Sequence, residues 1–274
     1  MRELTGVPEG SPVLDVDGVR LAYARQGRGP TVVCLHAIGH GGGDFDALVA
    51  RLRDAFDIVR IDWPGQGRSG PDREPASAAR YATLLAGALA QLKVQRPILI
   101  GNSIGGAAAI LHASRHPVTA VVLCNSGGLI EVTPSITRAC NGMASFFGAG
   151  ARGAWWFPLA FRLYYTLLVL PSRAAAEQRR RIIVAGQESA AILRDAWLSF
   201  GTPEADLRNV AASLDAPVWI AWATGDRIIQ LSACLPAIRK LKCGTLTRLG
   251  GGHAAFLERP DAFAKEFMTF AKSL

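Results

Sequence analysis

The pentapeptide Gly101-Asn102-Ser103-Ile104-Gly105 places a serine between two glycines, a spacing typical of a nucleophile on a sharp turn. The apolar run Pro97–Ile100 comes before it and the helical pattern Ser103–Arg115 follows, which predicts the strand–turn–helix setting that such a turn requires. Small residues are needed there because the strand and the helix pass close together. The start of the helix also presents N–H groups that could stabilise an oxyanion. We therefore predict that Ser103 is a nucleophile; the alternative is a helix N-cap serine in a glycine-rich turn.

A serine hydroxyl needs a base to remove its proton, and we predict that His253 is this base. It follows Gly250-Gly251-Gly252 after the last predicted strand, on a turn that could reach over the edge of the sheet to Ser103. The other four histidines are expected in other places: His36 shaping a loop at a strand end, His40 in a glycine-rich loop, and His112 and His116 in or just after the helix that follows the nucleophile.

We predict that Asp226 is the carboxylate that orients the base and stabilises its protonated form. It lies three residues after the predicted strand Val218–Ala223, at the carboxyl end of the sheet where Ser103 also lies. Asn125 and Asp62 also follow strands and are the alternatives. The amide of Asn125 carries no negative charge, and a Pro-Gly pair beside Asp62 favours a structural turn.

Short apolar strands alternate with helical patterns, which predicts an α/β fold with a mostly parallel sheet and helices on both faces. The alternation stops near Asn125 and returns at Val218, with helical stretches and no clear strand between them. We therefore predict one core domain, residues 1–125 and 213–274, with a helical cap of residues 126–212 inserted into it. The predicted strands are Val19–Ala24, Thr31–Leu35, Asp57–Ile61, Pro97–Ile100, Thr119–Leu123, Val218–Ala223 and Thr245–Leu249. The predicted core helices are Phe45–Phe56, Ser77–Leu92, Ser103–Arg115, Leu231–Lys240 and Pro260–Leu274.

Gly153–Leu170 is the most apolar stretch of the chain. It could cross a membrane, but it is short, Pro158 would kink it, and a central arginine such as Arg162 costs about 2.5–3.5 kcal/mol on insertion scales. We expect a lid helix over a pocket and no membrane span, with peripheral contact to a lipid surface as the alternative. The predicted substrate-binding residues are Trp155 and Trp156 in this segment and Asn102 beside the nucleophile.

The composition is that of a globular protein, with 50% hydrophobic and 19% charged residues. The five cysteines are scattered without a CxxC pair, so we predict no metal site and no disulfide framework, and a reducing, cytoplasmic compartment fits. The basic residues behind the net charge of +8 are dispersed, so no nucleic-acid partner is predicted. Arg179–Arg181, preceded by Glu177, is expected to form a solvated helix face. Met1–Gly10 is polar and does not resemble a secretion signal.

Taken together, the motifs of this chain resemble those of the α/β-hydrolase fold superfamily, over nearly the whole chain. The resemblance implies an eight-stranded, mostly parallel sheet, a cap inserted after the sixth strand, and a reaction that requires no cofactor. It depends on His36-Ala37-Ile38-Gly39, Asp62-Trp63-Pro64-Gly65-Gln66-Gly67-Arg68-Ser69, Gly101-Asn102-Ser103-Ile104-Gly105-Gly106, Gly225-Asp226, and Gly252-His253 with Glu258-Arg259-Pro260.

The resemblance also implies an oxyanion hole made of two backbone N–H groups, those of Ile104 and Ile38. Ile38 follows a His-Ala pair, where the family pattern has His-Gly. A second register is open, because His40-Gly41-Gly42-Gly43 spells the HGGG of some lipases, although in those proteins the motif directly follows the strand. The stretch 65–70 matches the G-x-G-x-x-G dinucleotide fingerprint, but prolines follow it where a helix should open.

A serine nucleophile supports acyl transfer and separates this chain from haloalkane dehalogenases and epoxide hydrolases of the same fold, which use an aspartate. We predict a serine hydrolase that cleaves an ester, or a related acyl bond, of a small and largely hydrophobic substrate through an acyl-enzyme. Carbon–carbon hydrolases of ring-cleavage products are an alternative: they often carry Gly-Asn-Ser-Met-Gly-Gly, but tend to have tryptophan where this chain has Ala254. The other alternative is a non-catalytic ligand-binding protein on the same fold.

Overall fold

A computed structural model describes residues 5–274, in which eight strands form one sheet. The strands are β1 (Val13–Val16), β2 (Val19–Gly27), β3 (Thr31–Leu35), β4 (Asp57–Ile61), β5 (Ile98–Asn102), β6 (Ala120–Cys124), β7 (Val218–Ala223) and β8 (Gly244–Leu249). Their order across the sheet is β1-β2-β4-β3-β5-β6-β7-β8. β2 runs antiparallel to β1 and β4, and all other neighbours pair in parallel. The predicted mostly parallel, eight-stranded sheet is confirmed.

The edge strand β1 is not among the predicted strands. It pairs with β2 through a tight hairpin whose two turn residues, Asp17 and Gly18, have φ angles of 53° and 74°. Asp-Gly is a preferred pair for such a turn, because both central residues must adopt positive φ. The signal was therefore present in the sequence, but β1 has only four residues and two of them are exposed.

Two groups of helices pack around the buried central strands of the core. The core helices are α1 (Asp46–Leu52), α2 (Ala78–Gln91), α3 (Ile104–Ala113), α9 (Leu231–Ile238), α10 (Ala255–Glu258) and α11 (Pro260–Ala271). α2 packs on α3 in one group, whereas α1 packs on α10 and α11 in the other. Strands β4, β5, β6 and β7 are buried along their whole length, as expected for strands covered on both faces.

A helical cap is predicted for residues 126–212; the structure has helices and no strand between β6 and β7, and this segment is called the cap below. Its helices are α4 (Pro134–Ala151), α5 (Phe157–Tyr164), α6 (Ala176–Val184), α7 (Gly186–Phe200) and α8 (Arg208–Ser213), with a π-helical turn at Tyr165–Val169. α4 packs along α7 and contacts α5. The predicted boundary at residues 212 and 213 falls inside α8, which packs against the core helices α3 and α9.

The apolar stretch Gly153–Leu170 does not form one continuous helix. α5 begins only at Phe157, with Pro158 in its first turn, because proline is tolerated there but not in a helix interior. Among residues 5–274, no helix is both long and apolar enough to cross a membrane. The polar segment Met1–Gly10, predicted to be no secretion signal, lies in part outside the described residues.

Candidate active site

Ser103 occupies the sharp turn between β5 and α3, with a φ of 55° and a ψ of −118°. A residue with a side chain rarely adopts this region, so the strain at this position is a feature that functional sites often carry. The neighbouring glycines are required by space. A Cβ on Gly101 would lie 2.4 Å from the Gly105 oxygen, and one on Gly105 would lie 2.3 Å from the Leu35 oxygen. The strand and the helix therefore pass as closely as the sequence predicts.

Gly105→Ala should destabilise the fold by about 3 kcal/mol or more, because the new methyl group would overlap backbone atoms that cannot rotate away. Gly142→Ala is the matched control, since Gly142 lies in α4 with nothing within 4 Å of an added Cβ. We expect that control to raise the free energy of unfolding by about 0.5–1 kcal/mol. Urea unfolding of both variants measures the difference, and equal effects would contradict the close packing at the turn.

The side chains of His253 and Asp226 meet at the carboxyl end of the sheet. His253 Nδ1 lies 2.8 Å from Asp226 Oδ2, and both side chains are buried. Asp226 Oδ1 accepts hydrogen bonds from the backbone N–H groups of Ile228 at 2.7 Å and Ile229 at 3.1 Å. Burial alone would raise the pKa of Asp226, but the charge of His253 and these hydrogen bonds outweigh it and lower the pKa below its usual value. Asp226 is therefore held as a carboxylate beside the imidazole.

Asn125 supports this carboxylate from the end of the neighbouring strand. Its Nδ2 donates to Asp226 Oδ2 at 2.7 Å, and its Oδ1 accepts from the N–H of Ala223 at 2.9 Å. The residue is buried and has a φ of 44°, a conformation that asparagine tolerates better than most residues. Asn125 and Asp226 were alternatives for one role on sequence grounds, whereas in the structure the two side chains are hydrogen-bonded partners.

Asn102, one of the predicted substrate-binding residues, instead contacts the loop that carries the histidine. Its Nδ2 donates to the backbone oxygens of Cys124 at 2.8 Å and His253 at 2.9 Å. Asn102 is fully buried and does not line the cavity described below. These two hydrogen bonds link the end of β5 to the end of β6 and to the histidine loop.

Glu258 also binds the loop that carries His253. Its Oε1 accepts from the N–H of Gly252 at 2.6 Å, and its Oε2 accepts from the N–H of Ser172 in the cap at 3.2 Å. Burial raises the pKa of this carboxyl above its usual value, against the opposing effect of these hydrogen bonds. The backbone N–H of His253 donates to Val169 at 2.8 Å. The histidine loop is therefore tied to the end of the π-helical turn in the cap.

Ser103 and His253 line one cavity of about 280 Å³ beneath the cap. Both residues line this cavity, and within the described residues no hydrogen bond joins Ser103 Oγ to His253. Most of the wall is aliphatic or aromatic and comes from both the core and the cap. Among residues 5–274, no Lys, Arg, Asp or Glu lines this cavity.

The backbone N–H groups of Ile38 and Ile104 donate to no protein group within residues 5–274. Ile38 lines the cavity, and Ile104 is the first residue of α3, next to Ser103. In the alternative register at 40–43, two N–H groups are already in hydrogen bonds. The N–H of Gly42 donates to Asp62 at 2.7 Å, and that of Gly43 donates to the Thr5 oxygen at 3.1 Å. The pair Ile38 and Ile104 therefore has the free donors that an oxyanion hole requires.

Residues 32–266 match the model of the Alpha/beta hydrolase family. The chain belongs to this family. It is 28% identical over 260 residues to a pimeloyl-[acyl-carrier protein] methyl ester esterase of Xanthomonas campestris, which covers 90% of this chain and 97% of that protein. It is also 31% identical to an uncharacterised protein of Mycobacterium tuberculosis, but the match spans 128 residues and only 38% of that protein's length.

Solved structures show the same fold. An esterase from Exiguobacterium antarcticum superposes with a TM-score of 0.81 at 16% identity, over 96% of this chain and 99% of the other. The enol-lactonase from Burkholderia xenovorans superposes with a TM-score of 0.79 at 22% identity, over 95% and 100% of the two chains. At these identities the likeness concerns the fold alone.

The two tryptophans predicted to bind substrate in this hydrolase lie outside the cavity. Trp155 is 90% exposed and Trp156 is 38% exposed, and neither lines the cavity wall. Both precede α5, in the turn that follows Gly153, and therefore lie on the outer surface of the cap. The aromatic residues of the cap that do line the cavity are Tyr164, Tyr165, Trp197 and Phe200.

A second buried histidine–carboxylate pair borders the cavity of this hydrolase. His40 Nδ1 lies 2.6 Å from Asp44 Oδ2, and Asp44 Oδ1 accepts from Gln178 Nε2 of α6 at 2.8 Å. His40 lines the cavity, so this pair adds a polar group to the wall besides Ser103 and His253. The sequence analysis assigned His40 only to a glycine-rich loop. The four-residue spacing between His40 and Asp44 is the signal that could have found the pair.

His36 behaves as predicted and shapes the loop after β3. Its Nε2 accepts from the N–H of Trp63 at 2.9 Å, and its Nδ1 contacts the Ala37 oxygen at 2.7 Å. Burial lowers the pKa of this imidazole, so the neutral form is favoured. Among the described residues, no cluster of three or more His, Cys, Asp or Glu could hold a metal ion.

Proposed function

We propose that this chain is a serine hydrolase that cleaves an ester, or a related acyl bond, of a small and largely hydrophobic substrate. The observation that carries the proposal is the shared cavity. Ser103, on a strained turn at the start of a helix, faces the same space as His253, whose Nδ1 is held by Asp226. Family membership and the relationship to a methyl ester esterase support ester hydrolysis in general terms.

In the proposed mechanism, Ser103 Oγ attacks the acyl carbonyl and His253 Nε2 accepts its proton. Asp226 keeps the proton on Nδ1 and stabilises the imidazolium that forms. The N–H groups of Ile38 and Ile104 stabilise the oxyanion, after which His253 protonates the leaving group. Water then cleaves the acyl-enzyme by the same path. In this mechanism a hydrogen bond between Ser103 Oγ and His253 Nε2 must form when substrate binds, because catalytic hydrogen bonds often become well aligned only in the complex with substrate.

The cap acts as an apolar lid in this proposal, and the cavity wall favours an uncharged acyl group. A carboxylate at the far end of the acyl chain would be buried without a counter-charge, because no Lys or Arg of the described part of the chain lines the cavity. The five free cysteines support a reducing, cytoplasmic compartment. The dispersed basic residues support a small-molecule substrate over a nucleic-acid partner.

A series of p-nitrophenyl esters should test the proposal and the acyl preference together. We expect kcat/KM to rise about fourfold for each added methylene until the cavity is filled, since burial of one CH₂ contributes about 0.8 kcal/mol. An ester with a terminal carboxylate should be a poorer substrate than the neutral ester of equal length. A flat series would contradict the apolar cavity as the acyl site. Absence of turnover on every ester, in protein that still forms a covalent serine adduct, would favour the carbon–carbon hydrolase alternative.

A further inference from the structure

Four apolar side chains of the cap are exposed on one line along its surface. They are Trp155, Leu159, Leu163 and Leu167, which are 90%, 65%, 49% and 55% exposed. They recur every four residues through the turn before α5, α5 itself and the π-helical turn after it, a spacing that places side chains on one helix face. We call these four residues the docking face. Clustered exposed apolar side chains of this kind mark interaction sites on soluble proteins.

The charges in the segment that carries the docking face are all of one sign. Residues 132–176 contain four arginines and no Asp or Glu. Within the described residues none of these arginines forms an ion pair, and all four are exposed: Arg138, Arg152, Arg162 and Arg173. Arg152 comes three residues before Trp155, and Arg162 lies on α5 between Leu159 and Leu163. The positive charge at the docking face is therefore available to an anionic partner.

A surface groove continues from the docking face toward the cavity. The groove has a volume of about 290 Å³ and includes Leu163 and Leu167 in its wall. Its wall also includes Met143 and Tyr164, which line the Ser103 cavity as well. These two side chains therefore stand between the apolar surface and the cavity.

We propose that the docking face binds the surface of an anionic lipid bilayer. Trp155 and the leucines would enter the boundary between headgroups and acyl chains, as the apolar face of an interfacial helix does. Arg152 and Arg162 would bind lipid phosphates, each contributing about fivefold in affinity for an anionic surface. A second copy of the chain could cover the apolar side chains with its own docking face. Its arginines would then lie against the arginines of the first copy and repel them. The one-signed charge thus favours an anionic lipid over self-association.

Sedimentation with vesicles tests this proposal in the Ser103→Ala protein, so that it does not depend on the proposed catalysis. We expect binding to vesicles of phosphatidylcholine mixed with phosphatidylglycerol and much weaker binding to phosphatidylcholine alone. Trp155→Ser combined with Leu159→Ser should weaken binding to the mixed vesicles at least about tenfold. Arg152→Gln combined with Arg162→Gln should weaken it about 25-fold and remove most of its salt dependence.

Val13→Ser is the matched control, because Val13 is a 41% exposed apolar residue on the edge strand of the core. It should bind the mixed vesicles as the parent protein does. Equal binding to both kinds of vesicle, or unchanged binding of the Trp155/Leu159 variant, would overturn the proposal. Size-exclusion chromatography tests whether a second copy of the chain occupies the docking face instead. The proposal would also be overturned if the parent protein were a dimer that does not bind vesicles and the Trp155/Leu159 variant were a monomer.

Discussion

Ser103→Ala should abolish covalent labelling by a fluorophosphonate and lower kcat on any ester substrate by about 10⁴-fold or more. The methyl group of alanine fits the turn, so the fold should survive while the nucleophile is lost. Intact mass spectrometry measures the adduct, with one addition on the wild type and none on the variant. The loss is expected to be in kcat, because the apolar cavity that binds the substrate is unchanged.

Ser126→Ala is the matched control for this experiment. Ser126 is also a buried serine close to the turn, but its Oγ donates to the Gly127 oxygen at 2.8 Å and it does not line the cavity. The Ser126 variant should keep the adduct and most of the activity. An adduct that persists in the Ser103 variant would place the nucleophile elsewhere. A folded wild type that forms no adduct would favour the alternative of a non-catalytic ligand-binding protein.

The framework of the sheet was predictable because parallel strands that are buried on both faces have a simple pattern. β3, β4, β5 and β7 are short segments in which most residues are apolar, and helical patterns separate them. Strands of this kind all end at the same edge of the sheet. Ser103, Asp226 and His253 follow the parallel strands β5, β7 and β8, so the sequence was enough to predict that they lie at the same edge of the sheet.

The contacts that hold those residues could not be read in the same way. Asn102 and Asn125 are polar residues at strand ends, and a strand end can face either a substrate or a neighbouring loop. Only the packing of β5, β6 and β7 decides between them, and it places Asn102 under the histidine loop and Asn125 against Asp226. The same reasoning applies to Glu258, whose two oxygens bind N–H groups from distant segments.

The cap was the least predictable part, because its apolar residues serve two surfaces. Trp155 and Phe157 are two residues apart, yet Trp155 is 90% exposed and Phe157 is 1% exposed. Composition alone cannot separate these environments. The start of α5 at Phe157, beside Pro158, decides which side chains turn inward and which remain outside. The lid segment was therefore predicted as a whole, but its substrate contacts were not.

Asp226→Asn should lower kcat by about 10⁴-fold with little change in KM, because the amide cannot keep the proton on Nδ1 of His253 or stabilise the imidazolium. Labelling of Ser103 by the fluorophosphonate should slow by a similar factor, since activation of the serine depends on the same base. Ester kinetics and the rate of adduct formation are the two measurements. They separate loss of activation from loss of substrate binding.

Asp62→Asn is the matched control and also decides between the two aspartates that follow strands. Asp62 is fully buried and accepts N–H hydrogen bonds from Val7, Gly42 and Arg68, at 3.0, 2.7 and 2.8 Å. In the variant, an NH₂ group that cannot accept hydrogen bonds would face these N–H donors. We therefore expect the free energy of unfolding to fall by about 1–3 kcal/mol, whereas most of the kcat should remain. The reverse pattern, with activity lost in the Asp62 variant and kept in the Asp226 variant, would refute the proposed triad.

The pH dependence of stability gives an independent test of Asp226. Its pKa in the folded protein is below the usual value of 3.8, so its ionised form stabilises the fold at neutral pH. This contribution is lost as the pH falls from 3.8, the usual pKa that applies to the unfolded chain, through the lower pKa of the folded protein. Over that range the unfolded chain binds a proton more readily than the native state does. Acid should therefore lower the free energy of unfolding of the wild type more than that of Asp226→Asn, which has no carboxylate at this position. A difference that does not change with pH would mean that His253 and Ile228 do not stabilise the charge of Asp226, and Asp226 could not then stabilise an imidazolium.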